Sequence, residues 1–141
     1  MEGGKRAAFA LHGVTERLFV SQAIEVVGDH CQTVSCAYRY QSGPDKDSWL
    51  LRWEYFRERP RADYEYPLAH VHANAEFVGS VLPAAHLGKP PWHLHIPTAR
   101  VPLELVLWHV IAEWGVTPKN DGCRDLLSES LAGFERRRRA P

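Results

Sequence analysis

The chain has little of what most quickly identifies a protein. It carries three cysteines and one methionine in 141 residues. Cys31, Cys36 and Cys123 are odd in number, and the spacing of the first two fits neither a zinc knuckle nor a redox pair. The thiols therefore read as small buried side chains, not as a disulfide framework. No apolar run approaches the roughly 20 residues of a membrane span. The stretch AAFAL at residues 7–11 is too short for a secretory core, which points to the cytoplasm. An excess of one charge is also missing, since 17 Lys and Arg offset 17 Asp and Glu. Without Arg136–Arg139 the balance is 13 basic residues against 17 acidic, a net −4, so the body of the chain is not an obvious nucleic-acid binder. There is no glycine-rich phosphate loop, no G-x-S-x-G, no H-E-x-x-H and no C-x-x-C. These absences remove nucleotide-cradling loops, serine hydrolases and the common zinc peptidases.

What remains is an ordinary globular composition, 45% hydrophobic and 24% charged, in a length that suits one domain over 1–141. Residues 1–6 and 136–141 are expected to be flexible. A helix is expected from Thr15 to Val27, capped by Thr15 and ended by Gly28. Strict alternation then marks a strand in which Val34, Cys36, Tyr38 and Tyr40 share one face. A loop over Gln41–Asp47 leads into a second alternating strand, Ser48–Arg57. Trp49, Leu51, Trp53 and Tyr55 lie on one side of it, with Arg52 and Glu54 on the other. A third strand is expected from Tyr64 to about Phe77 and a short fourth at Trp92–Ile96, separated by an irregular Gly/Pro-rich excursion over 79–91. Pro102, followed by Leu103, Val106, Leu107, Val110 and Trp114 at helical spacing, predicts a helix ended by Gly115. A last amphipathic helix is capped by Asn120 or Asp121 and carries Leu127, Leu131 and Phe134. Together these predict an α+β fold: an antiparallel sheet of about four strands with helices packed on one face, the Pro102–Trp114 helix against Trp49, Leu51 and Trp53.

The unusual quantity is histidine. There are eight, and His70, His72, His86, His93 and His95 fall within 26 residues. His70-Val71-His72 and His93-Leu94-His95 are both His-x-His, and on a strand residues two apart face the same side. If the two strands pair, four imidazoles share a small area, with Asn74 and Glu76 continuing the phase of the first pair. Imidazole can bind a metal when neutral, transfer protons, or hold a phosphate when charged.

Three readings follow. In one, His70, His72 and one of His93 or His95, with Glu76 as a fourth ligand or base, hold a divalent metal such as zinc, manganese, nickel or iron. In another, two of the four histidines act as acid and base in phosphodiester cleavage, with Arg100 or Arg52 stabilising the charged phosphorane and RNA supplying its 2′-hydroxyl. His72 and His95, the more interior members of their pairs, would take those roles, and Arg100 would reach the phosphate from the start of the following helix. In the third, the protein is a binding module that holds a partner protein on its histidine face. Arg136–Arg139 can contact phosphates, or serve as a solvated tail that suits a helix C-terminus.

His70-x-His72-x3-Glu76 is similar to the first half of the cupin motif; the second half is not met by Gly88–His95. A longer resemblance runs through Tyr38-Arg39-Tyr40, Arg52-Trp53-Glu54-Tyr55, the His70–His72 strand and the helix around Leu103-Glu104 to Leu107. Over residues 38–114 this resembles the small bacterial TumE-like toxin-antitoxin proteins. The sequence departs from them in its second His-x-His, its long excursion and its extra terminal helices. The resemblance implies a growth-inhibiting toxin acting on RNA, with a cognate antitoxin as partner. It implies no catalytic role for any particular residue.

Overall fold

The computed structural model describes residues 5–10, 15–45, 47–74 and 95–139. The fold is α+β, an antiparallel sheet with two helices packed on one face. The strands are β1 (Lys5–Ala10), β2 (Arg17–Val27), β3 (His30–Gln41), β4 (Trp49–Phe56), β5 (Ala69–Ala73) and β6 (His95–Pro97). They form a six-stranded sheet in chain order, every neighbour antiparallel. Helix α1 (Leu103–Ala112) and helix α2 (Cys123–Arg139) follow. No helix among the described residues is long and apolar enough to cross a membrane.

The core is what alternation and helical spacing predict. Cys36, Tyr38 and Tyr40 of β3 meet Leu18 of β2 and Val106 and Val110 of α1, with Trp53, Tyr55, Leu103, Leu107 and Trp114 packed around them. Burial pushes the Tyr40 phenol up to about 12, and Glu16 adds to the shift. Gly115 adopts φ +68, which lets the chain turn so that the Val116 amide donates to the Val110 carbonyl. Asn120 starts α2, its Oδ1 accepting from the Gly122 amide and its carbonyl from the Cys123 amide. The helices are tied together where Ser130 donates to Glu104 at 2.7 Å.

The segment expected as a first helix is strand β2, which is why the sheet has more than four strands. Val27 pairs with His30 across Gly28-Asp29. Gly28 has φ +64 and Asp29 does not share it, the glycine-first pattern of a two-residue hairpin turn. Gly28 therefore reverses a strand instead of capping a helix. Val20, Ile24, Val26 and Val27 are β-branched residues suited to the pleated surface. Lys5 and Arg6, expected to fray, pair with Gln22 and Ser21, and residues 136–139 continue α2.

Two register shifts overturn details of the alternation. Ala23 pairs with Ser35 and Ile24 with Thr33, so Val34 has no partner on β2. This bulge turns Val34 outward, at 38% exposure, and puts Thr33 inside. Between Tyr40↔Leu51 and Gln41↔Trp49 the extra residue is Leu50, which packs on the core. Trp49 thereby leaves the helix-packed face, and its ring lies under the Arg52 guanidinium at 5.5 Å. The third strand is shorter than expected: Tyr64–Leu68 precede β5 outside the ladder, and 75–77 lie outside the described residues. Of the expected fourth strand, residues 92–94 are outside them too, as is His86. Cys36 is buried, but Cys31 is exposed and Cys123 only partly covered; all three are free thiols.

Candidate metal centre

Register builds the site. Arg52 pairs with His72 and Glu54 with His70 on β4 and β5, while His72 pairs with His95 on β5 and β6. Val71 pairs with Trp53, which faces the helices. The strand period therefore sends His70, His72, His95, Arg52 and Glu54 to the opposite, helix-free face. One ligand atom from each of His70, His72 and His95 lies within 4.8 Å of the others. The rings of His72 and His95 are 3.8 Å apart by centroid, and those of His70 and His72 4.7 Å.

His70 is the fixed member. It is fully buried, and its Nδ1 lies 2.6 Å from the Pro67 carbonyl. A carbonyl only accepts, so Nδ1 carries the hydrogen and donates it, leaving the Nε2 lone pair of the neutral ring aimed at the cluster. His72 Nε2 is 2.8 Å from His70 Nε2 and 3.4 Å from Arg52 Nη2. Glu54 Oε2 is 3.0 Å from His72 Nε2, 3.3 Å from His70 Nε2 and 3.3 Å from Arg52 Nη2. His95 is held differently: Tyr66 stacks on its ring at 3.6 Å with an interplanar angle of 5°. Its buried Nδ1 has no hydrogen-bond partner among the described residues.

The electrostatics keep lone pairs available. Burial pulls the His70 imidazole below its ordinary value, against the opposing bond to Pro67. Burial, reinforced by repulsion from His72 and His70, pulls His95 down to about 4. Burial alone would raise the Glu54 carboxyl, but the hydrogen bond to His72 and the Arg52 charge outweigh it and hold the group below the usual carboxylate range. Two imidazoles neutral at physiological pH beside an ionised carboxylate are a donor set for a transition metal, because metal binding otherwise has to displace protons.

Arg52 and Glu54, beside the cluster, also line a cavity of about 260 Å³ together with Phe19, Val20, Ser21, Ala37 and Arg39; the three histidines are not among its lining residues. Arg39 lies over the Phe19 ring at 5.0 Å, and Arg39 and Arg52 are direct cross-strand partners.

Of the residues singled out from the sequence, the structure brings together His70, His72 and His95. His93 and Glu76 lie outside the described residues. Arg100 does not join the histidines. Its Nη2 donates to Thr33 Oγ1 at 2.7 Å, and its guanidinium lies against the Tyr55 and Phe134 rings on the helix side of the sheet. The loop after β6 reaches the helices before it can turn back to the histidine face. Sequence reasoning gave no site role to Glu54, Tyr66 or the Pro67 carbonyl. A signal for Glu54 was present, since it shares the outward phase of Arg52 opposite the core; only the register showed that His70 is its neighbour.

Compared with known proteins, the chain matches no family model, no curated sequence and no solved structure. The arrangement of residues is thus what speaks for function.

Proposed function

We propose that this protein binds one divalent transition metal through His70, His72 and His95 and uses it to hydrolyse an anionic ester. The observation that carries the reading is the convergence of three imidazole ligand atoms within 4.8 Å, with the His70 tautomer set by the Pro67 carbonyl. Three histidines with a position left open are a recurrent catalytic metal pattern, and imidazole suits zinc, iron and nickel. A metal held there supplies Lewis acidity and lowers the pKa of a bound water. Glu54 is placed to accept a proton beside the cluster, and Arg52 and Arg39 offer positive charge to a substrate in the adjoining cavity. The burial of His70 and His72 favours coordination over direct proton transfer to a bulky substrate.

Protein purified without a polyhistidine tag should contain about one equivalent of metal by elemental analysis, or take it up from zinc, iron, nickel or manganese buffers. Loaded protein should hydrolyse bis(p-nitrophenyl) phosphate or, in line with the toxin-like resemblance, single-stranded RNA. His95→Ala should weaken metal binding by more than the roughly 10–100-fold that losing an outer-shell partner costs, with activity falling in parallel. Failure to take up any of these metals would overturn the reading. Hydrolysis that persists unchanged in chelator would return the cluster to metal-free acid–base chemistry.

A further inference from the structure

The bulge at Val34 has a second effect, on the other face of the sheet. By turning Thr33 inward it gives two arginines a common anchor. Arg57 Nε donates to the Thr33 carbonyl at 3.3 Å, and Arg100 Nη2 donates to Thr33 Oγ1 at 2.7 Å. The same hydroxyl also accepts from Gln22 Nε2 at 3.0 Å, which uses its lone pairs and fixes its orientation. A third arginine, Arg137 from the end of α2, completes the lining of an open cavity of about 370 Å³ that also includes Gln32 and Thr33. Three residues far apart in sequence thus place three permanent positive charges around one cleft. Among the described residues no carboxylate lines it, and none of the three guanidiniums forms an ion pair. Glu25, the acid of neighbouring β2, takes a hydrogen bond from Gln32.

Gathering like charges in this way raises the energy of the empty cleft, and an anion relieves it. Arg100 is prepared for such a partner. It is held by the Tyr55 ring at 5.3 Å, the Phe134 ring at 5.2 Å and the bond to Thr33, so little rotamer freedom remains to be lost on binding. Its buried Nε has no hydrogen-bond partner. A guanidinium presents five N–H donors in a planar fork that matches phosphate oxygens.

We propose that the cleft between Arg57, Arg100 and Arg137 is an anion site for a phosphate monoester, separate from the histidine centre on the opposite face. A dianionic tetrahedral group suits a cleft lined by three arginines, and the volume exceeds that of phosphate alone, leaving room for the alcohol portion. A nucleic-acid backbone calls for several phosphate contacts along a track, whereas the three arginines surround one cleft.

Calorimetric titration of the full chain at constant ionic strength tests this, with inorganic phosphate and a simple phosphate monoester as probes and acetate as control. Saturable binding of both phosphates, and not of acetate, is expected. Arg57→Ala and Arg137→Ala remove exposed side chains, so folding is preserved. Each should weaken phosphate binding by about tenfold, the value of one charge-assisted hydrogen bond at the low end of its range. Arg100→Lys keeps the charge but loses the fork and should weaken it similarly. Binding absent in the wild type, equal for acetate, or unchanged in all three variants overturns the proposal. So does an unphosphorylated oligonucleotide that binds more tightly than the monoester through the same arginines.

Discussion

The two faces of the sheet gather charge-bearing side chains by opposite means. On the helix-free face, His70 and His72 are buried and packed ring against ring, and their nitrogens converge on one Glu54 oxygen. Desolvation there holds the His70 and His95 imidazoles below their ordinary value, so the face offers lone pairs to a cation. On the helix side, Arg57, Arg100 and Arg137 surround an open cleft that, among the described residues, no carboxylate lines. Guanidinium stays protonated whatever its surroundings, so that face offers N–H donors to an anion. The same sheet thus supports a site for cations and a site for anions. The difference lies in whether the groups can give up their protons when buried.

The largest effect should separate the faces by stability. His70→Ala removes a fully buried ring, its bond to Pro67 and its contact with Glu54. It should lower unfolding free energy by about 2–4 kcal/mol in urea titration and abolish stoichiometric metal binding. A stable variant that kept its metal would show that His70 is not part of the centre.

Acid should act more gradually, and on the histidine face. His95 has its folded value depressed to about 4 and His70 is depressed as well, so between pH 6.5 and about 4 the unfolded chain binds more protons than the folded one. The stability of the metal-free protein should therefore fall as pH drops through that window. The depressed Glu54 carboxyl acts in the same direction at its lower end. Denaturation midpoints measured from pH 7 to 4 check the sign; a rising midpoint would contradict it.

The smallest effect belongs to the arginine cleft. Arg57→Ala removes an exposed side chain and relieves repulsion. It should change stability by less than about 0.5 kcal/mol and raise the thermal midpoint slightly at low salt, a difference that vanishes at high salt. In phosphate the order should reverse, with the wild type gaining more than the variant. A loss of midpoint at every salt concentration would make Arg57 a structural residue and blur the contrast between the faces.

Much of the site was legible because strand and helix periods are local. The two-residue period puts His70 and His72 on one side and Val71 on the other. The helical spacing of Val106 and Val110 marks the layer that covers the sheet. Strand β2 reads as a helix in the sequence because Gly28 serves a helix end and a hairpin equally well, and only the pairing of Val27 with His30 decides between them. Cys31 was misjudged because burial of a small thiol depends on what lies across from it.

The sequence by itself determined the phase of the histidines, the core stripe of α1 and the α+β class, because each depends on side-chain direction repeating along a few neighbouring residues. The tertiary structure alone decided that Glu54 meets His70, that the bulges at Val34 and Leu50 redirect Thr33 and Trp49, and that Arg100 joins Arg57 and Arg137 instead of the histidines. Those outcomes depend on register and on which elements meet across long stretches of chain. A one-residue slip in either would send the same side chains to the other face without altering any local pattern.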